Sequence, residues 1–236
     1  MEFDPPLTEA RLIRRYKRFL ADVEMADGSR TTVHCPNTGA MLGCDYPGSR
    51  VWLSRSDNPR RKYSMTWELV EPPGTGVLVG INTSRTNRLV EEALWAQQIT
   101  ELSGFEDLRR EVRVEHGRLD FLLSFGAEQC YVEVKNVTAA VDRGVALFPD
   151  AASERASRHL ESLISLRESG SGSVLLFCVQ RSDVEEVRPA ADIDPRYART
   201  LAEASEAGVR ILAYRWHLSP AQLRLQQPVR VSVGHG

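Results

Sequence analysis

The pattern of apolar residues changes character near Ile81, and this change restricts the chain to a fold with two unlike parts. Before Ile81 the apolar residues come in short alternating runs, separated by turns rich in Gly, Pro and Asp. The runs are RFLADVEM, TTVHC, SRVWLSR, SMTWELV and GVLVGIN. Because a period of two is typical of strands, about five short strands without a helix predict a small antiparallel barrel, of either the OB-fold or the SH3-like type.

After Ile81, helical patterns alternate with strands. Helical segments begin near Thr83, Asp150 and Asp194, and between them lie the hairpin GRLDFLLSFGAEQCYVEVKNVT and the almost wholly apolar strand VLLFCVQ. A last strand, VRILAYRW, follows the third helix. This order predicts an α/β domain with a mixed central sheet flanked by helices. We therefore place an all-β barrel domain at residues 1–82 and an α/β domain at residues 83–236.

The hairpin contains three ionisable residues among its apolar ones. Glu133 and Lys135 are two apart, so they leave the same face of one strand, and a turn near Gly126 places Asp120 on the neighbouring strand. Such a set suits a phosphodiesterase site in which Asp120 and Glu133 bind Mg²⁺ or Mn²⁺ and Lys135 steadies the attacking water. Spacing alone favours the alternative, in which Glu133 and Lys135 form a solvent-facing ion pair and Asp120 pairs with Arg118.

The two flanking helices add further candidates. Helical spacing puts Glu92 on the same side as Leu89, facing the sheet, which makes it a fourth candidate catalytic residue. A position at the edge of the core is an equally good interpretation. In the second helix Arg155, Arg158 and His159 share one face and suit phosphate binding, although an exposed basic face is the simpler explanation.

A nucleic-acid partner would have to bind at a local basic patch, because the formal charge of the chain is −2. Two clusters in the barrel part are candidates. They contain Arg15 and Lys17 in RLIRRYKR, and Arg55, Arg60, Arg61 and Lys62 in and near PRRK. Trp52, Tyr63 and Trp67 lie near the second cluster in sequence and suggest base stacking. Barrel cores also need Trp, however, and most basic clusters are solvated faces.

The cysteines and the N-terminal stretch bear on the compartment. The four cysteines are scattered without a Cys-x-x-Cys pair, which argues against a zinc site and a disulfide framework. The stretch MEFDPPLTEARLIRRYKR has no apolar segment of the kind found in secretion signals, and no apolar run approaches a membrane span. We therefore expect a cytoplasmic protein whose cysteines are buried and reduced.

Seven motifs follow one another along the chain: HCPNTGAM, NRLVEEAL, RLDFLL, YVEVKNVT, FPDA, SRHLESL and DPRYARTLAEASEAGV. In this order they resemble the sugar fermentation stimulation protein A family, over nearly the whole chain. The resemblance implies an OB-fold domain followed by a PD-(D/E)xK nuclease-like domain. It also implies a protein that binds DNA without strong sequence specificity and regulates genes of sugar (maltose) metabolism.

The resemblance also assigns residues. The acidic residue of the nuclease superfamily matches Asp120, its Glu-x-Lys matches Glu133 and Lys135, and its helix carboxylate matches Glu92. In HCPNTGAM the segment after the proline predicts a tight turn, and His34 is better interpreted as a core or turn residue than as a ligand.

Two functions stay open at this point. One is a DNA-binding regulator in which the nuclease-like domain is a binding platform, and the other is an active nuclease dependent on Mg²⁺ or Mn²⁺. The presence of Asp120, Glu133 and Lys135 together favours the enzyme, whereas the family resemblance favours binding. A weaker third hypothesis is a barrel that binds a partner protein. The sequence leaves open whether the chain is a monomer or a dimer.

Overall fold

The first part of the chain is a closed barrel. The computed structural model describes residues 1–115, 117–142 and 144–234. The barrel strands are β1 Thr8–Tyr16, β2 Leu20–Met25, β3 Arg30–His34, β4 Arg50–Arg55, β5 Met65–Glu71 and β6 Val79–Gly80. They form one sheet in the order β3-β2-β1-β4-β5-β6, and a parallel bridge between His34 and Thr66 joins β3 to β5 and closes it. The OB-like barrel predicted from the sequence is therefore confirmed.

Strand β1 is not evident from the sequence because charged residues hide its alternation. Ala10 and Leu12 are buried, whereas Arg11 and Arg14 are exposed. The register against β2 shifts between Leu12 and Arg14, which breaks the period of two on which a strand prediction depends. The basic stretch RLIRRYKR is thus largely a barrel strand, and not a free cationic segment.

The second part is a mixed sheet covered by helices. The helices are α1 Thr86–Trp95, α2 Glu154–Glu168 and α3 Pro195–Glu206, with short 3-10 turns at Thr83–Arg85 and Thr100–Leu102. The strands of the large sheet are β7 Asp107–Val114, β8 Gly117–Phe125, β9 Glu128–Val137, β12 Gly172–Val179, β14 Arg210–Leu218 and β15 Leu223–Pro228. Their order is β15-β14-β12-β9-β8-β7, so β9 and β12 are central strands.

Helices cover both faces of this sheet, as the alternating pattern predicted. Residues of α1 share a core with Val132 and Val134 of β9. Residues of α2 and α3 share the other core with Leu175 and Phe177 of β12. The α2 helix begins after Ser153, whose hydroxyl accepts a hydrogen bond from a backbone amide in the first turn. The predicted hairpin is confirmed as β8 and β9.

A smaller sheet lies beside the large one and has no counterpart in the sequence-based prediction. Its strands are β10 Ala140–Asp142, β11 Val145–Phe148, β13 Glu186–Pro189 and β16 Arg230–Val231, in the order β10-β11-β13-β16. Segments of two to four residues are too short for a hydrophobic period to be recognised. Strand β7 is missed for another reason, since it is an edge strand with mostly exposed, charged residues.

The two parts are joined by buried polar contacts. The backbone amide of Gly80, at the end of the barrel, donates a hydrogen bond to the carbonyl of Gln180, just after β12, at 2.8 Å. The Gln180 side chain donates to Asn136 at 2.6 Å and to Thr86 at 3.2 Å. The last barrel strand and the central sheet are therefore held together directly. Among the described residues, no helix has the length and apolar composition needed to cross a bilayer.

Candidate functional site

Asp120 lies where strands β8 and β9 separate. The ladder between the strands ends with Phe121 opposite Val132, and Asp120 is the next residue. Its Oδ2 accepts a hydrogen bond from the backbone amide of Val134 at 2.8 Å, and its Oδ1 accepts one from Asn87 Nδ2 of helix α1 at 2.7 Å. The carboxylate is thus fixed in the gap between the strands.

Glu133 and Lys135 share one face of β9, as strand alternation predicted, and they contact each other below the surface. Lys135 Nζ donates to Glu133 Oε1 at 2.6 Å. His159 Nδ1 of helix α2 contacts the same oxygen, while Arg155 Nε donates to His159 Nε2 at 3.4 Å. Lys135 Nζ also lies 3.3 Å from His159 Nδ1, so the imidazole joins helix α2 to the Glu133–Lys135 pair.

Because their side chains are largely buried, Glu133 and Lys135 are not the solvent-facing ion pair that spacing alone favours. Glu133 is only 3% exposed, and β9 lies between two other strands of the sheet. The second Glu133 oxygen, Oε2, is buried and has no hydrogen-bond partner among the described residues. Arg118, the alternative partner of Asp120, lies instead 3.7 Å from Glu111. The unsatisfied Oε2 is costly unless a further group binds it.

The two carboxyl groups are shifted in opposite directions. Burial, and then the negative charge of Glu133, raise the pKa of Asp120 to about 6. Burial would also raise the pKa of Glu133, but the hydrogen bond from His159 and the charge of Lys135 outweigh it, so the pKa of Glu133 is lowered. Near neutral pH both groups are therefore ionised and lie close enough to influence each other.

The donor set suits a hard divalent cation. Mg²⁺ is commonly held by one or two carboxylates and keeps several of its waters. The described residues contain no group of three or more His, Cys, Asp or Glu side chains arranged to hold a metal. Asp120 and the unpartnered Oε2 of Glu133 can supply two carboxylate ligands, which fits Mg²⁺ or Mn²⁺ and does not fit a zinc site.

Glu92 does not join this cluster. Its carboxylate receives the Met1 amine at 2.9 Å and Arg88 Nε at 2.9 Å, on the flank of α1 that packs against β15. The expectation of a fourth catalytic carboxylate there is wrong, because the helical spacing identifies an inward side without saying which strands it faces. Asn87 is the α1 residue that contacts Asp120.

Two residues of the site have no clear signal in the sequence. Asn87 lies in the first turn of α1, where an asparagine is commonly a capping residue. Tyr197 of α3 is fully buried, and its hydroxyl has no partner among the described residues. Burial, and then the nearby charge of Glu133, raise the pKa of Tyr197 well above its usual value. The positions of Asn87 beside Asp120 and of Tyr197 near the charge of Glu133 depend on how separate helices and strands pack, which spacing along the sequence does not reveal.

The predicted phosphate-binding face of α2 is divided by the structure. Arg155 and Arg158 are exposed, but His159 is buried against Glu133. His159 is therefore part of the carboxylate cluster and not of a surface patch. The two arginines lie on the exposed face of α2, where Arg155 also donates to His159.

The basic residues of the barrel that are predicted to contact nucleic acid also divide into exposed and internal residues. Arg15 is internal: its Nη2 donates to the carbonyls of Arg18, Asn37 and Gly39 at 3.1, 3.0 and 2.8 Å. Its prediction as a nucleic-acid contact is therefore corrected to a support for the turn in HCPNTGAM. The other predicted cations are exposed, namely Lys17, Arg55, Arg60, Arg61 and Lys62.

The aromatic residues of the barrel do not form the stacking platform suggested by their sequence positions. Trp52 and Trp67 are buried in the hydrophobic cores. Trp67 Nε1 donates to the carbonyl of Leu69 at 2.9 Å, which satisfies its polar atom inside the barrel. Tyr63 is partly exposed, with Lys62 Nζ 5.5 Å from its ring centroid.

Comparison with known proteins finds two family models that match successive parts of the chain. Residues 13–81 match the family model described as the SfsA N-terminal OB domain, and residues 84–222 match the sugar fermentation stimulation protein RE domain. A sugar fermentation stimulation protein homolog of Thioalkalivibrio sulfidiphilus is 56% identical over 235 residues, covering 99% of this chain and 98% of the relative. The homolog of Halorhodospira halophila is 59% identical, and the match covers 95% of both chains.

A solved structure is similar throughout. The structure of Pyrococcus furiosus SfsA in complex with Ca²⁺ superimposes with a TM-score of 0.88 at 27% sequence identity, covering 98% of both chains. Matching family models on both parts, relatives of more than half identity and a shared architecture lead to one conclusion. The chain belongs to the sugar fermentation stimulation protein family.

Proposed function

We propose that this protein binds DNA and cleaves its phosphodiester bonds with the help of Mg²⁺ or Mn²⁺ held by Asp120 and Glu133. One observation carries the proposal: Glu133 Oε2 is buried and unpartnered, and the partly buried carboxylate of Asp120 lies near enough for the charge of Glu133 to raise its pKa. Two carboxylates held together at a cost in desolvation are expected where a cation binds. A bound divalent ion would polarise the phosphate and lower the pKa of a water molecule.

The chain's own residues have distinct roles in this proposal. Lys135 Nζ, 2.6 Å from Glu133 Oε1, is placed to hold the attacking water and to stabilise negative charge on the phosphate. Asn87 and the amide of Val134 orient Asp120. His159 orients Glu133 and keeps it ionised, while Arg155 and Arg158 bind neighbouring phosphates.

The relative from Pyrococcus furiosus supports an oxygen-ligand cation site in this family. That protein is described in complex with Ca²⁺. Ca²⁺ and Mg²⁺ are both hard cations that prefer oxygen ligands. We propose that the cation site of this chain lies at Asp120 and Glu133.

A second candidate function is DNA binding without cleavage, as a regulator of sugar (maltose) metabolism genes. It is favoured by the saturation of Glu133 Oε1, which already has Lys135 and His159 as partners. A carboxylate neutralised in this way is stable without a metal. In this case the nuclease-like part is a platform that holds the DNA backbone.

One experiment separates the two functions. The purified protein is incubated with linear, supercoiled and single-stranded DNA in Mg²⁺ or Mn²⁺, beside Glu133→Gln and the control Glu128→Gln. Glu128 is exposed at the start of the same strand, so its variant tests charge removal away from the site. Cleavage that disappears only in Glu133→Gln supports the enzyme. Salt-sensitive binding without cleavage by the wild type supports the regulator instead.

The metal itself is tested by calorimetric titration of Mn²⁺ into wild type and Asp120→Asn. The wild type should bind and the variant should lose at least about tenfold in affinity, because one of two carboxylate ligands is removed. Equal binding by both proteins would remove the metal from the proposal.

A further inference from the structure

A cleft of about 480 Å³ lies where the barrel meets helix α1, away from Asp120 and Glu133. We call it the junction cleft. The lining residues that matter for its chemistry are Phe19, His34, Arg61, Glu68, Arg85 and Arg88. They come from the β1–β2 turn, the end of β3, the β4–β5 loop, β5, the 3-10 turn and α1. The cleft exists only because the two parts of the chain pack together.

The charges in the junction cleft leave two arginines available to an anion. Glu68 is buried and is the only carboxylate among the residues described as lining the cleft. It is fully engaged by Arg85, whose Nη2 and Nε donate at 2.7 and 3.0 Å, and by Asn82 at 2.7 Å. The remaining arginines, Arg61 and Arg88, therefore give the cleft a net positive charge.

These two arginines line the cleft from different parts of the chain. Arg61 is in the barrel loop, and its side chain donates a hydrogen bond to Thr66 Oγ1 at 2.9 Å. Arg88 is on α1 and has an exposed ion pair with Glu92. Exposed pairs of this kind contribute little and exchange readily for a phosphate. His34 adds little positive charge of its own, since burial, and then the charge of Arg61, lower the pKa of its imidazole.

Phe19 supplies an exposed ring at the rim of the same cleft. It is 46% exposed, in contrast to the buried tryptophans of the barrel. Its backbone is fixed, because its carbonyl accepts a hydrogen bond from the amide of Cys35 at 2.8 Å. A ring held open to solvent beside two arginines is the combination that binds a base and its phosphate.

The turn in HCPNTGAM separates this cleft from a second cavity. Thr38 lines both the junction cleft and a cavity of about 230 Å³, whose other walls include Asn136 and Asp150. Asn136 directly follows Lys135 in the chain. A strand that entered the junction cleft and crossed the turn would therefore arrive at the end of β9, where the candidate catalytic lysine lies.

We propose that the junction cleft binds one nucleotide of a single DNA strand, with its base stacked on Phe19 and its phosphate held between Arg61 and Arg88. This inference rests on the proposed DNA function and specifies the form of DNA that the protein prefers. The cleft holds an unpaired nucleotide, because a paired base does not present its face to Phe19. The turn of HCPNTGAM is then the floor over which the strand passes, and Arg15 holds that floor in place.

The test is binding of a fluorescent oligothymidine of about 12 nucleotides, and of a duplex of equal length, in EDTA and at several salt concentrations. Phe19→Ala should weaken single-strand binding about tenfold, and Arg61→Gln and Arg88→Gln should each reduce the salt dependence by about one phosphate contact. The duplex should be affected less. The matched controls are Tyr46→Ala, an aromatic residue of comparable exposure, and Arg30→Gln, an arginine in a comparable exposed ion pair.

The outcomes distinguish this inference from the proposed function. If the wild type binds DNA but the three cleft variants bind like their controls, the cleft is not the site and the proposed function stands. Equal losses for single strand and duplex would also overturn the inference. If the wild type binds no DNA at all, both the proposed function and the nucleotide site in the junction cleft are refuted. Thermal melting of each variant confirms that it is folded, and Arg61→Gln retains a donor for Thr66.

Discussion

The side chain of Asp120 accepts the hydrogen bond of the Val134 amide, at 2.8 Å, in place of a backbone carbonyl of the neighbouring strand. The β8–β9 ladder stops one residue earlier, so the carboxylate fills the gap that the separating strands leave. The same position is partly buried and close to Glu133, and this is why the pKa of Asp120 is raised to about 6. The position in which Asp120 replaces a backbone hydrogen-bond acceptor is therefore also the position that raises the pKa of its carboxyl group.

The first prediction concerns stability. Because the pKa of Asp120 is higher in the folded protein than its ordinary value of 3.8, the folded state binds the proton more tightly, and the contribution of Asp120 to stability falls as pH rises from about 4 to about 6. Asp120→Asn removes this penalty and should stabilise the metal-free protein by about 1–2 kcal/mol at pH 7. Urea unfolding of the wild type and Asp120→Asn at pH 4 and pH 7 measures this difference in the free energy of unfolding. An Asp120→Asn variant that is less stable than wild type at pH 7 would contradict the assignment.

The second prediction is the pH dependence of metal binding. A protonated carboxyl is a poor ligand, so Mn²⁺ affinity should increase as pH rises through about 6 and level off above it. Calorimetric titrations between about pH 5 and pH 8 measure this. A flat profile would mean that Asp120 is not a ligand.

The third prediction assigns a positioning role to His159. His159→Ala removes a donor to Glu133, so the lowered pKa of Glu133 should rise and the acid limb of the cleavage profile should move to higher pH. The rate at pH 7 should fall about 10- to 100-fold. His159→Asn keeps an N–H near the Nδ1 position and should recover most of the profile. If both variants lose activity equally at every pH, His159 has a different role.

The fourth prediction separates two adjacent arginines. Arg15 donates to three backbone carbonyls from a largely buried position, whereas Arg14 has an exposed side chain paired with Asp22. Arg15→Ala should lower the free energy of unfolding by about 2–3 kcal/mol, because three backbone carbonyls, two of them partly buried, lose their donor. Arg14→Ala should change it by less than about 1 kcal/mol. Chemical denaturation of both variants measures the difference, and equal effects would refute the support role of Arg15.

The fifth prediction concerns the contact between the two parts. A Cβ at Gly80 would lie 2.5 Å from Gln180 Oε1, so Gly80→Ala must displace the side chain that bonds Asn136 and Thr86. We expect a loss of about 1–3 kcal/mol. Gly234→Ala is the matched control, because a Cβ there meets no atom within 4 Å. Thermal unfolding that is unchanged in Gly80→Ala would show that Gln180 adjusts without cost.

The sequence predicts those features of the site that depend on local geometry. Strand alternation places Glu133 and Lys135 together, and the turn at Gly126 brings Asp120 to the adjacent strand. These relations span few residues and follow from backbone geometry alone. The barrel and the alternation of helices with strands are predictable for the same reason, since their hydrophobic periods are long enough to recognise.

Other features depend on partners that are distant in sequence. Glu92 pairs with Met1, and Arg15 holds a turn more than twenty residues away. His159 is predicted to share a phosphate-binding face with Arg155 and Arg158, yet the packing of α2 on β9 buries it against Glu133. Periodicity indicates which side of an element faces inward. It does not indicate which residues of other elements pack against that side. The corrections for Glu92, Arg15 and His159 all arise from such packing partners.

The hydrogen bond from Gly80 to Gln180 has a consequence for how a substrate would enter. Because the last barrel strand is bonded to the segment after β12, and Val79 also forms a β-bridge with Arg181, the barrel cannot swing away without breaking backbone bonds and exposing Gln180. The barrel is then a fixed wall and not an opening lid. A long polymer would have to thread along the surface cleft, and access would be governed by the shape of the substrate and not by a hinge motion of the protein.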